Sequence, residues 1–432
     1  MLLLVHRSAF IVPRLPMFLF YVLAAVVLCQ SVIALRGGWS FLEYVRREMN
    51  REQSDYAPFA SVIVPCRGVD QGLGTNLGAL FGQRYPAYEI IFVVDRARDP
   101  ALDVIEEARR VFGKVSVAAT RVVVAGEARQ CGQKVHNLRV AVGEIDPASE
   151  VLVFVDTDAR PHPAWLRSLV ARLVDEGVGA ATGYRWFFPV RGGMASVLRA
   201  VWNASIASAL GENGRRNFCW GGSTAIRRET FERLGVSEKW TGTVSDDFTL
   251  THTLHQAGLP IHFVPQCLTA SHEDCTWREL FEFTTRQLKI TRVYAPHLWK
   301  IVLWSNLLFV LVFFGGIALV VWRAASGLPY LLPLLITIAI YLFGAGKSLI
   351  RLVAVRLPFA AYQTELRRNV PAYLLLWPVA SALYLYNAIA ALSRRITWRG
   401  ITYELKSPTE TVIISDVFAK ELAKPSKAHH AS

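Results

Sequence analysis

Val151-Leu-Val-Phe-Val-Asp-Thr-Asp-Ala-Arg160 is the stretch on which the fold turns. Its five leading apolar residues, largely β-branched, predict a strand buried on both faces. The acidic pair Asp156/Asp158 falls where that strand ends. In an open α/β sheet, ligands bind outside the carboxyl ends of the strands. Two carboxylates two positions apart at such an edge can share one divalent cation, Mn2+ or Mg2+, and that cation could neutralise a diphosphate. A D-x-D pair is also compatible with a solvated acidic loop, so its meaning depends on the surrounding chain.

On both sides of this strand the pattern alternates. Ser61–Pro65, Glu89–Asp95 and Val115–Ala125 precede it as strand candidates, with helical stretches around 74–83, 100–112 and 133–143 between them. A further helix is expected at 163–175, and Gly221–Ile226 and Ile261–Val264 read as later strands of the same layer. Repeated β-α-β alternation predicts an α/β domain with a mostly parallel sheet covered on both faces. No G-x-G-x-x-G follows the first strand and no G-x-x-x-x-G-K-[ST] occurs, which excludes dinucleotide and P-loop readings.

Composition points to a membrane. Of 432 residues, 53% are hydrophobic, and the mean hydropathy of +0.30 is too apolar for a purely soluble protein. Leu15–Leu35 is an apolar run of the length a spanning helix needs, and residues 36–57 read as an amphipathic, polar connection. Later blocks at Ile301–Trp322, Leu328–Ile350 and Pro371–Leu392 are each long enough to cross, with Lys347 placed to snorkel to an interface. The net charge of +13 comes mostly from residues that flank these blocks, which favours a membrane surface and a phosphorylated substrate over nucleic acid. Arg7 and Arg14 before the first run, and Arg36, Arg46, Arg47 and Arg51 after it, place the α/β domain on the cytosolic side. The expected division is an anchor and connection (1–58), a catalytic domain with an interfacial helix (59–300), membrane segments (301–392) and a basic cytosolic tail (393–432). Four crossings would put that tail opposite the domain, against its charge, so one block is re-entrant or interfacial, or a further crossing exists. Six cysteines without metal spacing read as unpaired.

Other residues could carry chemistry. Asp95 ends the second strand and Asp99 lies four residues on; either could meet the base or ribose of a nucleotide, and Asp99 before Pro100 could equally cap a helix. Lys134 and Asn137 sit at a helix start, where a lysine can pair with a diphosphate or lie on the surface. Ser245-Asp-Asp-Phe248 opens another helix. Capping accounts for one of its acids, and the other could be a general base. His272 follows a strand end and is a candidate third metal ligand.

In this order the motifs resemble those of the family-2/family-21 glycosyltransferases, the ceramide glucosyltransferase branch most closely. The resemblance covers residues 60–295 and a tail segment. Arg67-Gly-Val-Asp70 with Asn76-Leu, Tyr85-Pro-Ala-Tyr-Glu89 and Asp99-Pro-Ala-Leu-Asp103 are similar to that family's opening. Asp99, Asp156 and Asp247 match its three aspartates, and Trp398-Arg-Gly-Ile-Thr-Tyr403 matches its C-terminal segment. The resemblance implies a GT-A-type domain with N- and C-terminal transmembrane helices, a nucleotide-sugar donor, a lipid acceptor and inversion by direct displacement. It places the metal on Asp156 and Asp158 and makes Asp247 the base. Donor contacts would come from Pro65, Asp95, Asp99 and Lys134, and acceptor or diphosphate contacts from Asp246, Arg286, Lys289 and Trp398. One departure stands out. In Arg286-Gln-Leu-Lys-Ile290, Lys289 and Ile290 replace an arginine–tryptophan pair, losing the planar fork and the stacking ring. The alternatives are a processive polysaccharide synthase, a polyprenyl-phosphate sugar transferase and an inactive membrane binding protein.

Overall fold

The computed structural model describes residues 14–113 and 119–416. The first part of the expected third strand, from Val115, lies outside the described residues, as do Arg7 and the end of the tail. A seven-stranded sheet forms the centre: β1 (Ala60–Pro65), β2 (Tyr88–Val94), β3 (Ala119–Val124), β4 (Val151–Phe154), β5 (Ala180–Phe188), β6 (Thr224–Arg227) and β7 (Ile261–His272), in the order β3-β2-β1-β4-β6-β5-β7. All pairings are parallel except those of β6, which is antiparallel to β4 and β5.

Alternation along each strand explains why the sheet is covered twice. Val62 and Val64 of β1, Ile90 and Phe92 of β2, and Val151 and Val153 of β4 face one apolar core. Ile63, Ile91, Leu152 and Phe154 face another. The first core is closed by α2 (Leu73–Phe81) and α3 (Ala101–Phe112), the second by α4 (Gln133–Val142). In α3 the buried residues are Ala101, Ile105 and Ala108, the spacing of one helical face. Each fully buried Val, Leu or Ile contributes about 1.5–3 kcal/mol, so the sheet is the stable frame on which the site is built. This is the GT-A-type α/β class expected from the sequence, with helices at both ends apolar enough to cross a membrane.

Strand β5 is absent from the sequence reading. Its run Ala-Ala-Thr-Gly-Tyr-Arg-Trp-Phe-Phe is buried throughout and pairs with β7 across a register shift between Thr182 and Tyr184. Gly183 sits in that shift, where a Cβ would collide with the Cys267 carbonyl. Helices α5 (Trp165–Val170) and α6 (Met194–Ala207) follow β4 and β5, and α7 (Asp246–Gln256) precedes β7.

At the N-terminus α1 (Arg14–Met49) is one continuous helix, where the sequence suggests a polar connection after residue 35. Its last turns bury Phe41, Leu42, Tyr44 and Val45, and Phe41 and Tyr44 stack on Phe263 of β7. After β7 come α8 (Trp277–Tyr294), α9 (Pro296–Ala325), α10 (Leu331–Val355), α11 (Gln363–Leu375) and α12 (Trp377–Ala390). By length and composition α1, α9 and α10 can cross a membrane, whereas the third late block is a helix pair bent by 69° at Leu376. Pro371 and Pro378 flank that bend and weaken helix continuity.

The chain then forms a three-stranded antiparallel sheet, β8 (Arg395–Trp398), β9 (Ile401–Ser407) and β10 (Glu410–Asp416). Its first turn is Arg399-Gly400, both at positive φ (47° and 78°), the two-residue loop that matches strand twist in a hairpin. This small sheet packs Ile396, Ile401, Tyr403 and Leu405 against Val244 and Ile290.

Candidate active site

Four elements converge at the carboxyl edge of β4. The loop after it carries Asp156 and Asp158 and is fixed by its neighbours: Asn76 donates to the Thr157 carbonyl (3.0 Å), and the Thr157 hydroxyl donates to Asp70 (2.8 Å). From the start of α4, Lys134 Nζ lies 2.8 Å from Asp156 and 3.3 Å from Asp246. Burial would lower this ammonium's pKa, but Asp156, Asp246 and Asp247 outweigh it and raise the value. Lys134 is therefore a paired cation inside the cluster, so its surface alternative fails.

Arg185, which no motif flagged, completes the cluster. From β5 its guanidinium spans both members of the pair, 2.7 Å from Asp158 and 3.4 Å from Asp156. It rests on Trp220 at 4.8 Å, with Phe187 at 5.5 Å. Asn203 of α6, buried, donates to the Arg185 carbonyl (3.1 Å) and so holds that strand residue in place. Burial works against the charge on Arg185, yet the carboxylates raise its pKa. Burial also opposes the charge on Asp156, and Lys134 and Arg185 prevail to lower its pKa. A lone charge amid the aromatic run Tyr184–Phe188 was the available signal, because a buried arginine needs a partner.

At the start of α7 the two acids differ. Ser245 is the N-cap and accepts from the Phe248 N–H, and Asp247 accepts from that same N–H (2.8 Å) and from the Ser245 hydroxyl. The capping expected of one of the two acids thus falls to Asp247, together with Ser245. Asp246 is 4% exposed and turns into the cluster toward Lys134, whereas Asp247 stays partly open to solvent. Gly221 makes room for this, since a Cβ there would collide with Asp246 and Lys134. Burial, reinforced by Asp247 and Asp156 against the pull of Lys134, pushes Asp246 up to about 6.

The other expected residues are placed as follows. Pro65 ends β1 beside Val93. Asp95 is buried and ion-paired with Arg67 (2.6 Å) and Arg96 (2.9 Å). Asp99 accepts from the N–H groups of Gly68 (2.9 Å) and Ala101 (2.8 Å), which is its capping alternative. His272 stacks between Phe188 (5.4 Å) and Tyr362 (5.1 Å), and burial, aided by Arg160, lowers it to about 4. Among the described residues no group of three or more His, Cys, Asp or Glu converges on one point, so His272 is not gathered with the aspartate pair.

Arg286 faces the cluster from α8 and stacks on Trp398 of the C-terminal hairpin at 5.3 Å. Burial, together with Arg399 and Arg185, lowers it to about 10, still charged at neutral pH. Lys289 and Ile290 point elsewhere: Lys289 donates to the Arg395 carbonyl (2.7 Å), and Ile290 fills the hairpin's core. The altered pair thus docks the small sheet, and Trp398 supplies an aromatic against the arginine. Arg399 at the hairpin tip, also missed, pairs with Asp70 (2.6 Å) and so ties the C-terminal sheet to the loop of Asp156.

The Asp156/Asp158 pair suits a divalent cation. Its donors are hard carboxylate oxygens, both already closed on one cationic group, and Asp158 Oδ1 is buried without a hydrogen-bond partner. Magnesium-type sites commonly use one or two carboxylates plus substrate phosphates, which a two-acid edge can satisfy.

A mostly parallel sheet with an acidic, cation-balanced edge is the architecture expected of a GT-A-type domain. Over residues 19–411 the chain matches the family described as glycosyl transferase family 21, and it belongs to that family. Among solved structures it is similar to the mannosyltransferase PcManGT from Pyrobaculum calidifontis, in complex with GDP-Man and Mn2+. That match has 18% identity and a TM-score of 0.44, covering 86% of this chain and 99% of that one. It is also similar to glucosyl-3-phosphoglycerate synthase from Mycobacterium tuberculosis, in complex with Mn2+ and UDP-glucose, at 19% identity and TM-score 0.36, covering 55% and 79%.

Proposed function

We propose that this glycosyltransferase is a multi-pass membrane enzyme that moves a sugar from a UDP-linked donor, UDP-glucose or similar, to a lipid hydroxyl such as ceramide, with inversion. The observation that carries the reading is the convergence of Asp156, Asp158, Lys134 and partly open Asp247 at one sheet edge, between helices long and apolar enough to cross a membrane.

Asp247 is the group placed to accept a proton. Its partly open carboxylate can meet an acceptor hydroxyl, whereas Asp246 is walled in by Gly221 and holds Lys134. As the hydroxyl oxygen bonds to the sugar carbon, its proton passes to Asp247. The bond to the diphosphate breaks, and the nucleoside diphosphate leaves with the electron pair. Lys134 and Arg286 set positive charge beside the departing group. Asp156 and Asp158 would hold Mn2+ or Mg2+, which supplies charge neutralisation to a diphosphate.

The C-terminal sheet fits this arrangement. Arg399 touches Asp70 and Tyr403 accepts from the Gln133 N–H, so the tail and the domain share one side of any membrane. An even number of crossings between them follows, met by α9 and α10 with the bent pair α11/α12 re-entrant. This reading removes the conflict in the sequence, and the arginine bias around α1 supports a cytosolic location for the shared side.

Asp247→Asn keeps the shape of the carboxylate but cannot take the proton. We expect transfer to fall about 10²–10⁴-fold with donor binding retained. Near-wild-type turnover at normal donor affinity would remove Asp247 from this role.

A further inference from the structure

Between α1, α6, α10 and α12 lies a cavity of about 190 Å³. Lys347 and Arg351, one turn apart on the same face of α10, both line it, with Trp377, Tyr384 and several serines. No aspartate or glutamate is among its lining residues. Arg351 is 5% exposed and its Nε is buried without a hydrogen-bond partner, as is Trp377 Nε1. Neither cation forms an ion pair among the described residues. Lys347, half-buried, borders the cavity.

Burying unpaired cations is costly, and buried polar groups are normally satisfied. Here two cations without a carboxylate partner share one chamber with an indole N–H, and Arg351 Nε and Trp377 Nε1 lack an acceptor. Gly344 allows the indole to close over it, since a Cβ there would strike the Trp377 ring. The space holds several water-sized groups, enough for a phosphate with its ester linkages. Tetrahedral anions with several acceptor oxygens answer this donor set, because Arg and Lys recognise phosphate through charge-assisted hydrogen bonds.

We propose that this cavity is a phosphate-binding site, filled by the headgroup of a membrane phospholipid or by free phosphate. The far wall is α6, whose Ser205 bonds Tyr384 (2.7 Å) in the cavity while Asn203 supports Arg185 on the opposite side. An anion bound here therefore braces the helix that holds Arg185 against the aspartate pair. The inference does not depend on the identity of the sugar donor or acceptor.

The test uses the full chain purified in phosphate-free detergent, melted with phosphatidylglycerol, with inorganic phosphate, and with diacylglycerol of the same acyl chains. A rise of several degrees with phosphatidylglycerol alone assigns a lipid headgroup, and a similar rise with inorganic phosphate assigns the free ion. In either case Lys347→Met/Arg351→Met should abolish the rise. If that double variant does not fold, Lys347→Met alone should weaken binding at least tenfold by native mass spectrometry. Equal stabilisation by diacylglycerol, no shift in any arm, or a shift that survives the substitutions would overturn the proposal.

Discussion

Two regions of this protein gather cations, and they are balanced differently. At the sheet edge, Lys134 and Arg185 close on Asp156, Asp158 and Asp246. Between the helices, Lys347 and Arg351 line a chamber with no acid. A buried charge is tolerated when paired, and removing one partner of a buried pair strands the other. The first region thus holds its own counter-charge, which a nucleotide and a metal would rearrange. The second is completed only by an anion from outside.

The largest effect that separates the two is expected at Arg185. Arg185→Gln leaves Asp156 and Asp158 facing each other with one cation fewer, at a cost of about 3 kcal/mol in chelator. Adding Mn2+ should recover most of the lost melting temperature, because the metal replaces the missing charge. A variant as stable as wild type in chelator would show that the pair needs no such neutralisation.

A smaller, pH-dependent effect belongs to Asp246. Its pKa in the fold is raised from 3.8 to about 6. The contribution of that raised value to stability is complete below about pH 4 and is lost as pH rises through 6. Asp246→Asn does not titrate, so its melting temperature should gain on wild type between pH 4.5 and 7.5, by the equivalent of about 2 kcal/mol. A difference that stays flat with pH would contradict the raised value.

The smallest effect is expected in the cavity. In phosphate-free detergent, Lys347→Met removes a charge that has no partner, so unfolding by denaturant should change by no more than about 1 kcal/mol. A loss as large as that of Arg185→Gln would mean that Lys347 has a counter-charge within the protein, and the contrast between the regions would collapse.

What the sequence shows and what it hides follow the same physics. The strands β1, β2 and β4 are legible because their apolar runs end at turn or acidic residues, and the order of Asp156, Lys134 and Asp247 is legible because each begins or ends an element. Strand β5 is hidden because Gly183 and Arg185 interrupt a run that burial and a register shift accommodate. Arg185 itself has no motif, since its role depends on β5 lying two strands from β4 with β6 between them. Likewise Lys289 and Ile290 read as a damaged site motif, when they anchor a sheet formed over a hundred residues later. The bend in α11/α12 is invisible to hydropathy, which sees one apolar block.

The most direct test of the sheet edge as a site of sugar transfer to lipid is product identification. Full-length protein in liposomes containing ceramide would be given a panel of nucleotide sugars with Mn2+ or Mg2+, and the lipid fraction analysed by mass spectrometry. The expected result is a hexosyl-lipid formed from a UDP-sugar, with inverted anomeric configuration, and absent in chelator. Sugar release to water alone, a soluble polymer, or undiminished transfer in chelator would contradict it.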